Sequence, residues 1–114
     1  MSRMPAGTSR KRQAGSLDIQ AMQRRAEDVV GMLKAVGNQN RLLLLCQMLD
    51  GKRSVNDLAE TLGVAQSVVS QHLSLLRREG LVQGRREGQS IYYRISDERV
   101  HALMAALHEV LCKR

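Results

Sequence analysis

The segment 54–95, SVNDLAETLGVAQSVVSQHLSLLRREGLVQGRREGQSIYYRI, constrains the fold more than any other part of the chain. Its start has the pattern of a capping box and predicts a short helix through Leu62, which Gly63 ends in a tight turn. Apolar positions then recur with helical spacing over 66–79. Two short runs rich in β-formers follow around a glycine-containing turn and predict a hairpin. A helix, a turn, a second helix and a hairpin in this order indicate a winged helix-turn-helix.

Amphipathic helices are predicted on both sides of this segment. Apolar side chains recur every three or four residues over 17–36, and residues 41–49 form a second helix that is apolar nearly all round. A last helix, capped by Ser96 or Asp97, carries an apolar stripe over 100–111. The sequence therefore predicts a mainly α-helical fold with a small β-hairpin wing.

Composition favours self-association of this fold. The 114 residues include no Phe, no Trp and only two Tyr, so the core must be built from aliphatic side chains. Such a core is marginal in a short chain. The apolar stripes at 19–36 and 100–111 are also faces that the central segment cannot bury alone. These features favour a homodimer.

The charge distribution divides the chain into two parts. The formal net charge is +7, from 18 Lys and Arg against 11 Asp and Glu. Residues 1–16 contain basic side chains and no acidic ones, which predicts a basic, disordered tail before a single domain at 17–114. No apolar run approaches the roughly 18 residues of a membrane span, and no secretory signal is found. We therefore expect a cytoplasmic protein with no membrane partner, in which a disulfide would be transient or redox-sensing.

Sequence motifs for catalysis are missing. The chain has no nucleotide-binding loop, no obvious carboxylate pair and no Ser-His-Asp arrangement. We therefore expect neither an enzyme nor a cofactor.

The central segment resembles the DNA-binding core of the ArsR/SmtB family of bacterial transcriptional repressors. The matching motifs are LA..LG, QS.VSQHL..L...GLV and the wing RREGQSIYYRI. With the flanking helices, the resemblance extends over about residues 20–112. It implies a homodimer formed by the first and last helices, which binds double-stranded operator DNA and is released from it by an inducer.

Candidate DNA-contact residues lie on three elements of this arrangement. The second helix of the helix-turn-helix offers amides and hydroxyls that suit base edges. The wing offers arginines and an amide for phosphate or minor-groove contact, and the helix at 41–49 begins with one arginine. Alternatively, the polar side chains of this helix form an ordinary solvated surface and contact no DNA. The histidine of the helix is as suited to packing or to phosphate contact as to contact with a base. The candidates are Gln66, Ser67, Ser70, Gln71, His72, Arg85, Arg86, Gln89 and Arg41.

Metal sensing, which the family resemblance also suggests, has weaker sequence support. The CxC pair that metal-sensing relatives carry on the third helix is missing. The last-helix zinc pattern is incomplete, because Arg99 replaces its acid. No metal site is predicted, and a zinc site assembled from His101, His108, Cys112 and an acid remains the alternative.

The two cysteines, Cys46 and Cys112, resemble those of the persulfide-responsive, two-cysteine subgroup of the family. The resemblance implies that they face each other and are crosslinked by reactive sulfur species, with release of DNA. Cys112, with His108 and basic neighbours, is the predicted nucleophile, and Cys46, among leucines, is the predicted resolving thiol. Alternatively, Cys46 is a small core residue and Cys112 an unreactive terminal thiol. The protein would then be a zinc-responsive repressor or a DNA-binding protein that senses nothing.

Overall fold

The computed structural model describes residues 7–112, with side chains described from Asp18 onward. The described residues up to Gly31 form one compact unit and those from Met32 form a second. The fold that positions the candidate site is that of the second unit. In chain order the described elements are α1 (Gly7–Val36), α2 (Gln39–Gln47), β1 (Arg53–Ser54), α3 (Val55–Leu62), α4 (Gln66–Arg78), β2 (Val82–Glu87), β3 (Ser90–Ile95) and α5 (Glu98–Cys112).

Helix α1 begins earlier than the sequence predicts. Its first residue is Gly7, so residues 7–16, which were predicted to be part of a disordered tail, are helical. Five of the ten residues in this segment are Arg, Lys, Gln or Ala, which favour helix, and extending an existing helix costs little. The extension is not predicted from the sequence, because the segment is charged and has no apolar side chains at helical spacing. The rest of the predicted tail, residues 1–6, lies outside the described residues.

Side-chain caps set the starts of α2 and α3. Asn38 Oδ1 accepts a hydrogen bond from the Arg41 backbone N–H at 3.1 Å and caps α2. Ser54 Oγ accepts one from the Asp57 N–H at 3.0 Å and caps α3. Gly63 ends α3 with φ of 70°, a left-handed conformation that favours glycine. The predicted short helix and tight turn are therefore confirmed.

Asp97 caps the last helix. Its Oδ1 accepts hydrogen bonds from the backbone N–H groups of Arg99 at 2.8 Å and Val100 at 3.3 Å. The hydrogen bond from the Arg99 side chain, followed by these backbone bonds, lowers the pKa of the Asp97 carboxyl. Between the two caps that the sequence allowed, the structure selects Asp97.

The wing is part of a three-stranded antiparallel sheet with strand order β1-β3-β2. Strand β1 was not predicted, because two residues are too few to show alternation. Gly88, with φ of 65°, stands first in the two-residue turn between β2 and β3, where a II′ turn requires positive φ. A Cβ atom at Gly84 would lie 2.8 Å from Cε2 of its cross-strand neighbour Tyr93, so the Tyr93 ring covers this glycine.

The core is made of aliphatic side chains, as composition predicts. Helix α2 lies at its centre and packs against α3, α4 and α5. Strand β2 packs against α4, and β3 contacts both α3 and α5. The largest fully buried side chains are Leu44, Leu45, Met48, Leu58, Val69, Leu73, Leu76, Val82, Val100 and Met104.

Candidate functional site

Helix α4 presents one polar side to solvent. Its buried side, Val69, Leu73 and Leu76, packs into the core. The opposite side is exposed along the helix and carries four of the predicted DNA-contact residues. These residues are Gln66, Ser67, Ser70 and Gln71. Ala65, at the N-cap position, provides no side-chain hydrogen bond, so the helix starts with backbone N–H groups that no side chain caps.

A shallow cleft joins this helix to the tip of the wing. It has a volume of about 250 Å³, and its lining includes Gln66 and Ser70 from α4 and Gln89 from the wing turn. Ile91 of β3 lines the same cleft. Three of the predicted DNA-contact residues, from two separate elements, therefore share one surface.

The two neighbouring wing arginines, Arg85 and Arg86, lie on opposite faces of the hairpin. Arg86 is paired with Ile91, and Arg85 is paired with Tyr92. Directly paired residues share a face and successive residues alternate. Arg86 is therefore on the face of Ile91, which borders α4, whereas Arg85 is on the other face. This separation follows from the pairing register, which the residues alone do not specify.

We call these two faces the inner and outer wing faces. The inner wing face consists of Val82, Gly84, Arg86, Ile91, Tyr93 and Ile95. The outer wing face consists of Gln83, Arg85, Glu87, Ser90, Tyr92 and Arg94.

Lys52, just before β1, joins the outer wing face. Its Nζ is 2.6 and 2.7 Å from the two carboxylate oxygens of Glu87 and 5.1 Å from the centre of the Tyr92 ring. Lys52 was missed at the sequence level. A two-residue turn fixes the pairing of β2 with β3, but strand β1, which brings Lys52 alongside, gave no sequence signal.

Arg41 and His72, both predicted DNA contacts, are turned towards each other. The Nη1 of Arg41 is 3.5 Å from the Nδ1 of His72, and its Nε donates a hydrogen bond to the Ala35 carbonyl at 2.5 Å. Burial, and to a smaller extent the positive charge of Arg41, lowers the pKa of His72. Both side chains are half-buried. The pair connects α2 to α4 and is set apart from the exposed side of that helix.

The lowered pKa of His72 predicts a pH dependence of stability. The unfolded chain binds a proton at His72 more readily than the folded one, so this contribution to stability is complete above the unfolded pKa of about 6.5 and is lost as pH falls below it. NMR titration of the histidine ring protons should show His72 titrating at lower pH in the folded than in the urea-unfolded protein. Arg41→Gln should bring the pKa of His72 only part of the way back to its unfolded value, because burial is the larger cause of the lowering. A folded-state pKa at or above the unfolded one would contradict this prediction.

The cysteines lie on two helices that pack against each other, α2 and α5. Cys46 is half-buried and Cys112 is exposed, and both thiols are free. Burial raises the pKa of Cys46, and the negative charge of a Cys112 thiolate raises it further. Cys112 Sγ lies 3.5 Å from Nε2 of His108, one turn earlier on α5. The fold therefore packs the two helices that carry the thiols against each other and places an imidazole beside the exposed thiol.

The structure brings together two residues of the alternative zinc site, His108 and Cys112, whereas the third, His101, contacts the end of α2. His101 Nε2 lies 3.1 Å from the Leu49 carbonyl oxygen, whereas His108 faces Cys112. Among the described residues, no group of three or more His, Cys, Asp or Glu side chains is arranged to hold a metal ion. No helix in the described part of the chain is both long and apolar enough to cross a membrane.

Sequence comparison identifies similar regulators. Residues 38–83 match the family described as "Bacterial regulatory protein, arsR family". The chain is 40% identical over 97 residues to the transcriptional activator HlyU of Vibrio cholerae, an alignment covering 85% of this chain and 90% of that protein. It is 36% identical over 98 residues to the biofilm growth-associated repressor of Agrobacterium fabrum, covering 86% of this chain and 84% of that protein.

Structure comparison confirms the predicted winged helix-turn-helix. Reduced HlyU from Vibrio cholerae matches with a TM-score of 0.79 at 41% identity, covering 82% of this chain and 99% of that chain. A homodimeric winged helix-turn-helix DNA-binding domain from Mycobacterium bovis, a possible ArsR-family regulator, matches with a TM-score of 0.69 at 34% identity, covering 79% of this chain and 83% of that chain. From these similarities over most of its length, we conclude that the chain belongs to the ArsR family of bacterial transcriptional regulators.

Proposed function

We propose that this regulator is a dithiol-based repressor, which binds operator DNA as a homodimer and releases it when reactive sulfur species crosslink Cys46 and Cys112. The observation that carries the proposal is the packing of α2, which carries Cys46, against α5, which carries Cys112. Although the two thiols are far apart in sequence, the charge of one raises the pKa of the other. Among similar structures, that of HlyU is described as reduced, which fits a protein with more than one thiol state.

The DNA-binding part of the proposal rests on α4 and the inner wing face. Gln71 and Gln66 present amides that suit adenine edges. The serines beside them can hydrogen-bond either to a donor or to an acceptor on a base edge. Arg86 shares the wing face of Ile91, which lines the cleft with α4, and this supports a role for Arg86 in phosphate or minor-groove contact. We assign direct readout to α4 and backbone positioning to Arg86.

Exposed apolar side chains support the homodimer. On α1, Ile19 and Met22 are 56% and 59% exposed, and on α5, Val110 and Leu111 are 71% and 54% exposed. Each helix thus carries apolar surface that a second copy would cover. The similar Mycobacterium bovis domain is homodimeric. In a dimer the two α4 helices must lie about 34–36 Å apart to enter successive major grooves.

The proposed chemistry starts at Cys112. Cys112 is exposed and has the His108 imidazole 3.5 Å away to accept its proton, whereas Cys46 is half-buried and its pKa is raised. The Cys112 thiolate attacks the outer sulfur of a persulfide R–S–SH, forms Cys112–S–SH and releases RS⁻. The Cys46 thiolate then attacks Cys112 Sγ, which forms the disulfide and releases HS⁻. Two thiols are oxidised and one sulfane sulfur is reduced; with more sulfur, a longer bridge forms.

The crosslink acts on DNA binding through α2. This helix packs against α3, α4 and α5, so a bond that draws it towards α5 alters its packing against the helix-turn-helix. Arg41, on the same helix as Cys46, also contacts His72 of α4. A tenfold loss of affinity needs only about 1.4 kcal/mol of difference between the two states. A small shift of α4 within each subunit is therefore sufficient.

The test combines intact mass with operator binding in the same samples. Reduced protein is treated separately with glutathione persulfide, hydrogen peroxide and zinc, and is then analysed under non-reducing conditions. We expect persulfide to link Cys46 to Cys112 within one subunit and to weaken operator binding at least tenfold. We also expect iodoacetamide to modify Cys112 before Cys46 in the untreated protein.

Two single variants provide the controls. Cys46→Ser should still gain a persulfide at Cys112 but keep its DNA, since the crosslink cannot form. Cys112→Ser should neither gain sulfur nor release DNA. If both thiols stay free in the wild type while zinc releases the operator, the sulfur-sensing proposal is wrong and the zinc-responsive alternative replaces it.

A further inference from the structure

We infer that His101 is a positioning residue for the proposed sulfur chemistry, because its contact with the end of α2 turns the Cys112 side of α5 towards the helix that carries Cys46. The inference rests on the proposed crosslink and names a residue that decides how readily the second thiol is reached. The contact that carries it joins Nε2 of His101, near the start of α5, to the backbone carbonyl oxygen of Leu49, 3.1 Å away.

The Leu49 carbonyl needs a donor from outside its own helix. It lies just past the C-cap of α2, Met48, and a carbonyl at this point has no N–H group of the same helix to accept from. A carbonyl oxygen can only accept, so Nε2 of His101 carries the proton and donates it. His101 therefore caps α2 from a neighbouring helix.

Side-chain spacing places His101 and the exposed thiol on one side of α5. His108 follows His101 by seven residues, and Cys112 follows His108 by four. At about 3.6 residues per turn, both steps return to the same side of a helix. The 3.5 Å contact between His108 Nε2 and Cys112 Sγ agrees with this placement. A bond that fixes the direction of His101 therefore also fixes the direction of Cys112.

The core packing of α5 does not by itself fix this direction. Val100 and Met104 are completely buried, whereas His101 and Cys112 are exposed. Apolar contacts are non-directional, so burial holds α5 against the core but permits small rotations about the helix axis. A hydrogen bond has a preferred angle as well as a preferred length, and it restricts these rotations.

On the α2 side, the bond acts close to the second thiol. Cys46 precedes Leu49 by three residues, which is close to one helical turn. Holding this end of α2 against α5 raises the effective concentration of Cys46 at a persulfidated Cys112. The step that His101 accelerates is therefore the attack of the Cys46 thiolate on Cys112 Sγ, which forms the disulfide and releases HS⁻.

The test compares full-length, reduced wild type with His101→Gln and His101→Leu. Glutamine places an amide N–H close to the position of Nε2 and is the matched control, whereas leucine is of similar size and has no donor. Thermal midpoints check that each variant folds.

Two reagents link the thiols by different chemistry. Dibromobimane becomes fluorescent when both of its bromomethyl groups have reacted with thiols, so it reports the approach of Cys112 to Cys46 without any transfer of sulfur. Glutathione persulfide tests the proposed reaction itself, followed by rapid quench and intact mass. Products are analysed as denatured single chains, which excludes links between subunits.

We expect His101→Leu to gain a persulfide at Cys112 at the wild-type rate but to form both links more slowly. The loss of one hydrogen bond corresponds to a decrease of about twofold to twelvefold in the rate of each link. His101→Gln should form both links at close to the wild-type rate, because it keeps the donor.

Equal bridging by dibromobimane in all three proteins would overturn the inference, and so would a glutamine variant as slow as the leucine variant. If dibromobimane bridges the leucine variant more slowly than wild type but persulfide crosslinks neither, the positioning role stands and the proposed function is wrong. A wild type that neither reagent links would overturn both.

Discussion

The substitution Gln71→Glu is expected to abolish specific operator binding while leaving the fold intact. Gln71 is exposed on the polar side of α4, so the nearly isosteric change disturbs no core packing. It replaces an amide that can donate to a base edge by a carboxylate that repels phosphates. Disrupting one good amide–base pair costs about 1–3 kcal/mol, and a dimer is affected at two half-sites. The expected reduction is about 2–6 kcal/mol, or roughly thirtyfold to more than ten-thousandfold in affinity.

Anisotropy titration against a selected operator at fixed salt measures this reduction, because affinities at different salt are not comparable. Gln20→Glu is the matched control, since it makes the same change of charge on the exposed side of α1. It should weaken binding only slightly. Similar effects of the two variants would show that net charge, and not the α4 surface, governs binding.

The substitution Leu45→Ala is expected to lower the free energy of unfolding by about 2–5 kcal/mol, the range for truncating a buried leucine. Leu45 is completely buried on α2, at the centre of the core. A decrease of this size is a large fraction of the stability of a small domain.

Urea unfolding followed by circular dichroism provides the measurement. Protein concentration must be held constant, since the stability of a dimer depends on it. Leu43→Ala is the control: Leu43 lies on the same helix but is 36% exposed, so its truncation leaves no closed cavity. If the two variants lose equal stability, α2 is not the centre of the core.

Local chemistry explains what could be predicted from the sequence. The helix-turn-helix was recognised because its signals are short-range: Ser54 caps its own helix, Gly63 supplies a positive φ, and apolar spacing marks the buried side of α4. The exposure of Gln66, Ser70 and Gln71 follows from the same spacing. The start of α1 was missed because Arg, Lys and Gln extend a helix without leaving an apolar pattern.

Contacts between distant residues required the tertiary structure. The meeting of Arg41 with His72 depends on how α2 packs against α4, and the coupling of Cys46 to Cys112 depends on how α2 packs against α5. The family resemblance implied that the two cysteines face each other, but the residues alone did not. No local propensity encodes such distances.

The wing shows most clearly which features the sequence determines and which only the tertiary structure decides. From the sequence by itself came a hairpin with two neighbouring arginines, because β-propensity and a turn glycine are local properties. Only the tertiary structure decided that Arg86 lies on the wing face that borders α4 while Arg85 joins Lys52 and Arg94 on the other face. Side chains alternate in a strand, so strand pairing and the packing of one face against helices determine which face each arginine occupies.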